Sequence, residues 1–172
     1  MKAVAEAIPL WLHIVAATAW VGPQFLMFLV ASPALRAIAE PQIRLSVTRI
    51  VSHRFGWLVW SAMAVIVLSG ISNLFEETEE FGHVFDPDFR YFHIFVTKMV
   101  LVGLTVLLTA LHTFVIVPRQ VLLYEEMPAD STEAARLRRA SLILSSLALL
   151  ASVAVVYAAV LLANHEFSSE PA

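Results

Sequence analysis

The residues best placed to do chemistry in this chain are ionisable side chains that stand in apolar runs. His13 lies in the first run, and Lys98 and His112 lie in a later one. Because an ionisable group at membrane depth is costly, each of these needs a partner or a function. Imidazole is a common ligand of haem iron and of copper, and an ammonium group can pair with a propionate or an anionic intermediate. Lys98 is therefore the candidate catalytic residue.

The candidate histidines fall into two levels. From the helical rise, His13 and Lys98 lie roughly 8–10 Å below one membrane boundary, with His93 nearer the surface. His112 and His53 lie near the opposite boundary. Facing histidines on different helices of a four-helix bundle can supply the axial ligands of a haem. We therefore predict one haem b held by His13 and His93, and a candidate second site held by His112 and His53.

Other residues fit such a site, although packing or topology is the favoured explanation for each of them taken alone. Arg54 and Arg90 could pair with haem propionates. Five small residues could let a flat macrocycle approach the backbone or could serve helix packing: Ala16, Ala17, Gly56, Gly70 and Gly103. His83 and His165 are expected to hydrogen-bond in water-facing segments. The acidic stretch 76–80 is expected to be a solvated loop rather than a cation site.

The elements that must position these residues are predicted to be membrane-spanning helices. The chain has 172 residues, of which 59% are hydrophobic and 15% are charged, and its mean hydropathy is +0.79. A soluble domain would have about one quarter charged residues. A span needs about 20 apolar residues, and four segments qualify: Ile8 to Ala31, Phe55 to Leu74, Tyr91 to Val117 and Leu142 to Ala163. The predicted fold is all-α, a single membrane domain over residues 1–172 that forms a four-helix bundle.

Basic residues predict the direction of the spans. The two segments that follow spans one and three hold eight arginines: Arg36, Arg44, Arg49, Arg54, Arg119, Arg136, Arg138 and Arg139. The opposite side has only Lys2 and Arg90. The positive-inside rule therefore predicts an inner-membrane protein with both termini outside. The first span is predicted to be retained rather than cleaved as a signal peptide, because its apolar run continues to Ala31.

Local patterns refine the helix ends. Pro23 is expected to kink the first span. The apolar residues Ile43, Val47 and Ile50 recur at helical spacing between arginines, which predicts an amphipathic turn leading into span two. Asp130 followed by Glu133 resembles a capping box, with Ser131 as the alternative cap of the last helix.

Composition also excludes several kinds of chemistry. The chain has no cysteine, so disulfides, thiolate catalysis and cysteine-ligated clusters are excluded. Its net charge of −3 gives no reason to expect a nucleic-acid partner.

The sequence resembles the copper-resistance protein D family and the related HemJ-type protoporphyrinogen oxidases. The segments that carry the resemblance are Trp11–Ile14, Trp20–Gly22, Pro33–Arg36, Arg54–Gly56, Ser69–Ile71, Lys98–Val102, His112 and Pro118–Arg119. The HemJ-like members bind haem b, and the resemblance implies that His13, Lys98 and His112 correspond to their functional histidines and lysine. This chain lacks the Tyr-His pair that HemJ proteins usually carry after the first helix.

Three functions remain open on the sequence. The first is a haem-binding membrane protein that takes part in electron transfer or oxidation. Its partner would be a quinone or a membrane redox protein, and its enzymatic form would be a membrane oxidoreductase. The second is copper handling, although Met27, Met63 and Met99 are not clustered in sequence. The third is a cofactor-free accessory subunit of a larger membrane complex. The lipid bilayer is a partner in every case, and the chain could form homo- or hetero-oligomers.

Overall fold

The computed structural model describes residues 2–81, 85–126 and 131–171. Nine helical elements follow one another along these residues: α1 (Lys2–Leu26), a π-helical turn (Met27–Ala31), α2 (Ser32–Ala37), α3 (Pro41–Phe81), α4 (Arg90–Leu111), a second π-helical turn (His112–Ile116), α5 (Val117–Glu126), α6 (Thr132–Ala163) and α7 (His165–Ser168).

Four stretches of these helices are long and apolar enough to cross a membrane, which confirms the predicted number of spans. They are Ala7–Ala37, Gln42–Thr78, Arg90–Leu123 and Thr132–Ala163. Each covers its predicted span and is longer, mainly at the end where the basic residues lie. We call that end of the bundle the arginine end, and the opposite end, where α1 begins and α6 finishes, the terminal end.

The four long helices pack as two antiparallel hairpins. α1 lies against α3, and α4 lies against α6, while α1 also contacts α6 and α5 contacts α3. Trp20 of α1 packs with Val59, Ala62 and Met63 of α3 in a buried core. Large apolar side chains cover much of the outer surface. Since such a surface is stable in hydrocarbon rather than in water, these helices contact the lipid bilayer.

Both π-helical turns precede a proline in the sequence. The backbone N–H of Ser32 donates to the Met27 carbonyl, and the N–H of Val117 donates to the His112 carbonyl. A proline ring clashes with the carbonyl four residues before it, and for Pro33 and Pro118 that carbonyl lies inside the π-helical turn. The wider turn relieves the clash without ending the helix.

Pro23 lies within α1, which remains α-helical up to Leu26, so the departure from α-helical geometry falls later than the predicted kink. The basic segments do extend the helices, as predicted, because α3 begins at Pro41 and α6 at Thr132. The Ser131 hydroxyl caps α6 by accepting a hydrogen bond from the Ala134 N–H at 3.2 Å. Asp130 lies outside the described residues.

The acidic stretch 76–80 is helical, and the prediction of a loop there is wrong. α3 continues to Phe81, so the described connection to α4 is shorter than expected. The helix continues past the apolar run because its residues still pack and because glutamate is a good helix former. His83 and the side chains of residues 79–84 lie outside the described part of the chain.

The C-terminal segment closes the terminal end of the bundle. The backbone N–H of Arg90 donates to the Glu170 carbonyl at 3.1 Å, and its guanidinium forms a salt bridge with the Glu170 carboxylate. The same guanidinium lies 5.0 Å from the centre of the Phe167 ring. Ser168, which belongs to this segment, is fully buried. Arg90 therefore attaches the chain end to α4.

Candidate functional site

His13 is held by α3 in one tautomer. Its Nδ1 lies 3.1 Å from the Ile66 carbonyl oxygen and 3.1 Å from the Ser69 hydroxyl. A carbonyl oxygen can only accept a hydrogen bond, so Nδ1 must carry the proton. The Ser69 hydroxyl donates to the Val65 carbonyl at 2.6 Å and thus accepts from His13. In the neutral ring, Nε2 is then unprotonated and can bind a metal.

Gly70 makes room for this imidazole. A Cβ built on Gly70 would lie 3.1 Å from Cε1 of His13 and 3.5 Å from its Nδ1. The first distance is tighter than ordinary van der Waals contact, so a larger residue would push the ring away from its acceptors. Of the small residues proposed to admit a macrocycle, Gly70 instead admits a side chain of the protein, while nothing lies within 4 Å of a Cβ on Gly56 or Gly103.

Lys98 connects His13 electrostatically to charged and polar groups of α3 and α4. Lys98, which is half-buried, interacts electrostatically with His13 and with Glu77. Glu77 also interacts with Tyr91, which is buried at the start of α4. One turn before Glu77, the Oδ1 atom of Asn73 is buried without a hydrogen-bond partner among the described residues. We call His13, Asn73, Glu77, Tyr91 and Lys98 the terminal cluster.

Deeper in the bundle, a polar contact joins the two hairpins. The Gln24 amide donates to the Ser152 hydroxyl at 3.1 Å and to the Trp20 carbonyl at 3.2 Å. Ser152 is fully buried and donates to the Ala148 carbonyl at 2.8 Å. Hydrogen bonds of this kind fix helices against each other in a medium that offers no water.

His112 lies at the arginine end and contacts α6. Its Nε2 is 2.9 Å from the Ser141 hydroxyl, and the ring is half-buried. A hydroxyl can donate or accept, so this contact does not determine which ring nitrogen carries the proton. Ser141 was not expected from the sequence, because serine is common in membrane helices and no pattern distinguishes this one.

His53 faces a different region from His112. An open groove of about 440 Å³ lies between α3 and the second π-helical turn. Its lining residues are Arg49, Ser52, His53, Gly56, Trp57, Trp60, Thr113, Phe114, Val117 and Val121. Trp60 stacks on Phe114 there, with ring centres 5.5 Å apart. The contacts of His53 and His112 therefore point to different neighbours, and their pairing as ligands stays a prediction.

The remaining predicted residues lie at the surface of the bundle. His93 is exposed, and its Nε2 lies 3.0 Å from the Pro87 carbonyl, in the connection that precedes its own helix. Arg54 is exposed, whereas Arg90 forms a salt bridge with Glu170 and lies over the Phe167 ring. The pairing of His13 with His93 also stays a prediction. Within the described ranges, no three His, Asp or Glu side chains come together as a metal-binding group.

Sequence reasoning missed the residues of α3 that complete the site. Ser69 and Gly70 were visible as a small-residue step in the second span, but their contact with His13 depends on how α1 docks. Glu77 was assigned to a loop, and only the continuation of α3 turns it toward Lys98. The signal that would have indicated this is the spacing of Glu77, which follows apolar-face positions of the same helix at intervals of four and seven residues.

Comparison with known proteins gives one family. A family model described as copper resistance protein D matches residues 49–162, which include α4 and most of α3 and α6. No curated protein and no solved structure matches the chain. The matched region is well over half of the 172 residues. This four-helix membrane protein therefore belongs to the copper resistance protein D family.

Proposed function

We propose that the protein binds copper(I) inside the membrane and handles it as cargo, with Nε2 of His13 as the ligand atom. The observation that carries the proposal is the hydrogen bond from Nδ1 of His13 to the Ile66 carbonyl. Histidines that bind metals usually donate their other ring N–H to a carbonyl or carboxylate, which fixes the tautomer and orients the ring. His13 has this arrangement before any metal arrives.

The described residues supply a single preset imidazole at this position, so copper(I) would take its other donors from elsewhere. Copper(I) accepts imidazole and thioether ligands. A site with few protein donors binds a metal weakly enough to release it, which suits passage rather than storage. The arginine-rich ends of the spans support an orientation with that end in the cytoplasm and the termini outside, in an inner membrane.

The experiment is a competition for copper(I) between the purified protein and a coloured copper(I) chelator, under a reductant. The wild-type protein is expected to take copper from the chelator, and His13→Ala is expected to lose this capacity by about tenfold or more. His112→Asn is the matched control, because it removes another imidazole held inside the bundle. Equal copper binding by wild type and His13→Ala would contradict the proposal.

Haem b is the second candidate, and the same hydrogen bond supports it, since an axial histidine also binds iron through the ring nitrogen that carries no proton. His93 would be the second ligand through Nδ1, because its Nε2 donates to the Pro87 carbonyl. In this form the protein would be a membrane oxidoreductase in which Lys98 contacts a propionate or the substrate, and a quinone or redox protein would exchange electrons with it.

The visible spectrum of the same purified sample separates the two candidates. Bound haem b gives a Soret band and, after reduction, a sharp α-band, whereas copper(I) gives neither. A sample that binds no copper and shows no haem bands would support the accessory-subunit interpretation instead.

A further inference from the structure

The groove that contains His53 lies between the two hairpins at the arginine end, and we call it the α3 groove. One wall is a single face of α3, because its residues recur at intervals of three and four along the helix. These residues are Arg49, Ser52, His53, Gly56, Trp57 and Trp60. The other wall belongs to the second π-helical turn and α5, and its residues are Thr113, Phe114, Val117 and Val121.

The α3 groove extends from the membrane boundary into the hydrocarbon. Arg49 and His53 precede Phe55, where the predicted apolar run of α3 begins, while Trp60 lies within that run. From the helical rise, the distance along α3 from residue 49 to residue 60 is about 16 Å. That is about half of the hydrocarbon thickness. The α3 groove therefore has the depth of one leaflet, with its polar end at the boundary and its aromatic end near the centre of the bilayer.

The α3 groove is open to the lipid along its side. Trp57 on one wall is 70% exposed and Phe114 on the other wall is 65% exposed, so hydrocarbon reaches both rings. Gly56 keeps the space between the polar and the aromatic ends free, since nothing lies within 4 Å of a Cβ built there. An occupant of this groove enters from the bilayer, and the part of it that lies deeper than Gly56 is apolar.

The polar end of the α3 groove favours a negatively charged group. Arg49 carries a guanidinium, and the Ser52 hydroxyl and the His53 imidazole can each donate a hydrogen bond to a phosphate oxygen. Within the described part of the chain, none of the residues that line the groove is acidic. Basic pockets between membrane helices bind the headgroups of anionic lipids in this way.

We propose that the α3 groove binds one anionic phospholipid of the leaflet at the arginine end. Its phosphate lies at Arg49, Ser52 and His53, and one of its acyl chains lies along Gly56 and Trp60. The charge distinguishes this occupant from a quinone, which is neutral. The lipid joins the two hairpins, because α3 belongs to one hairpin and α5 continues the first helix of the other. This inference is independent of copper(I) binding, whose proposed site lies toward the opposite end of the bundle.

Quenching of tryptophan fluorescence by brominated lipids tests the site, because bromine quenches an indole ring only at close contact. The full-length protein with Trp11→Phe is placed in phosphatidylcholine vesicles that contain a small fraction of brominated phosphatidylglycerol, or the same fraction of brominated phosphatidylcholine. Trp57 and Trp60 are then the tryptophans that lipid can reach, since Trp20 is buried. Brominated phosphatidylglycerol is expected to quench at about fivefold lower mole fraction, the preference that one arginine near the surface provides.

Two matched pairs of variants assign the preference to the α3 groove. Arg49→Gln is expected to abolish it, whereas Arg54→Gln, which removes a neighbouring arginine outside the groove lining, should retain it. Gly56→Leu fills the groove and is expected to make the two brominated lipids equivalent. Gly103→Leu is its control, because a Cβ there also meets open space but lies outside the groove lining, and it should behave as the parent protein.

Equal quenching of the parent protein by the two brominated lipids would overturn the inference, since the groove would then hold only the lipid that surrounds every helix. Equal losses in Arg49→Gln and Arg54→Gln would overturn it as well, because they would indicate a diffuse attraction by the arginine end. Quenching by neither lipid would show that another protein chain covers the groove, which would also contradict the inference. Copper(I) binding by Gly56→Leu should match the wild type, so the two proposals fail independently.

Discussion

His13 and His112 are both imidazoles held inside the bundle, but their partners differ in kind. His13 donates to a backbone carbonyl, which cannot reverse its role, whereas His112 meets the Ser141 hydroxyl, which can. His13 also interacts electrostatically with Lys98 of α4, while His112 forms a hydrogen bond from the second π-helical turn to α6. The acceptor type therefore decides whether a contact fixes the tautomer of an imidazole inside the bundle.

The largest effect is expected from changing the space around His13. Gly70→Ala puts a Cβ 3.1 Å from Cε1 of the ring, so the imidazole must shift by a few tenths of an ångström, which strains its hydrogen bond to the Ile66 carbonyl. Copper(I) affinity is expected to fall about tenfold, or about 1.4 kcal/mol. Chelator competition measures it. Gly103→Ala is the control, because nothing lies within 4 Å of a Cβ there; equal affinities in both variants would remove Gly70 from the site.

A smaller effect, and of a different kind, is expected at His112. Ser141→Ala removes the hydrogen bond between the second π-helical turn and α6, and interhelical bonds of this type contribute about 0.6 kcal/mol on average. The free energy of unfolding in mixed micelles should fall by about that amount, with copper(I) affinity unchanged. A clear loss of copper binding in Ser141→Ala would show that His112 is a ligand after all, and the comparison would fail.

The smallest effect is expected at the C-terminal segment. Glu170→Gln weakens the salt bridge to Arg90, whose side chain is 39% exposed while that of Glu170 is 56% exposed. Exposed pairs contribute about 0–1 kcal/mol and are screened by salt. Limited proteolysis of the C-terminus should therefore accelerate only slightly, and the difference should shrink at high salt. A large change in copper binding would mean that this segment belongs to the site.

The four-helix fold could be predicted from the sequence because hydrocarbon imposes a length and a composition on every span. The ends of the helices could not be predicted, because glutamates and arginines beyond the apolar core remain helical when the residues next to them pack. α3 shows this most clearly, since its last turns bring Glu77 into the terminal cluster. Ser131 could be predicted as the alternative cap to Asp130 because capping is a local interaction.

The site was only partly predictable for a physical reason. His13, Lys98 and His112 stand out because charge and hydrogen-bonding groups are costly in an apolar run. Their partners are a carbonyl, a glycine and serines, and none of these stands out in a membrane helix. Which of them meets an imidazole depends on the rotation and docking of two helices, and a single sequence does not encode that in any local pattern.

The protonation of the His13 ring is the most direct test of the account. Nitrogen-15 NMR of histidine-labelled protein in lipid, with His13→Gln to assign the resonances, reports which ring nitrogen carries the proton. We expect Nδ1 to be protonated and Nε2 to be unprotonated near neutral pH, and we expect the Nε2 resonance to shift when copper(I) is added. A proton on Nε2, or a His13 spectrum that does not respond to bound copper(I), would contradict the account.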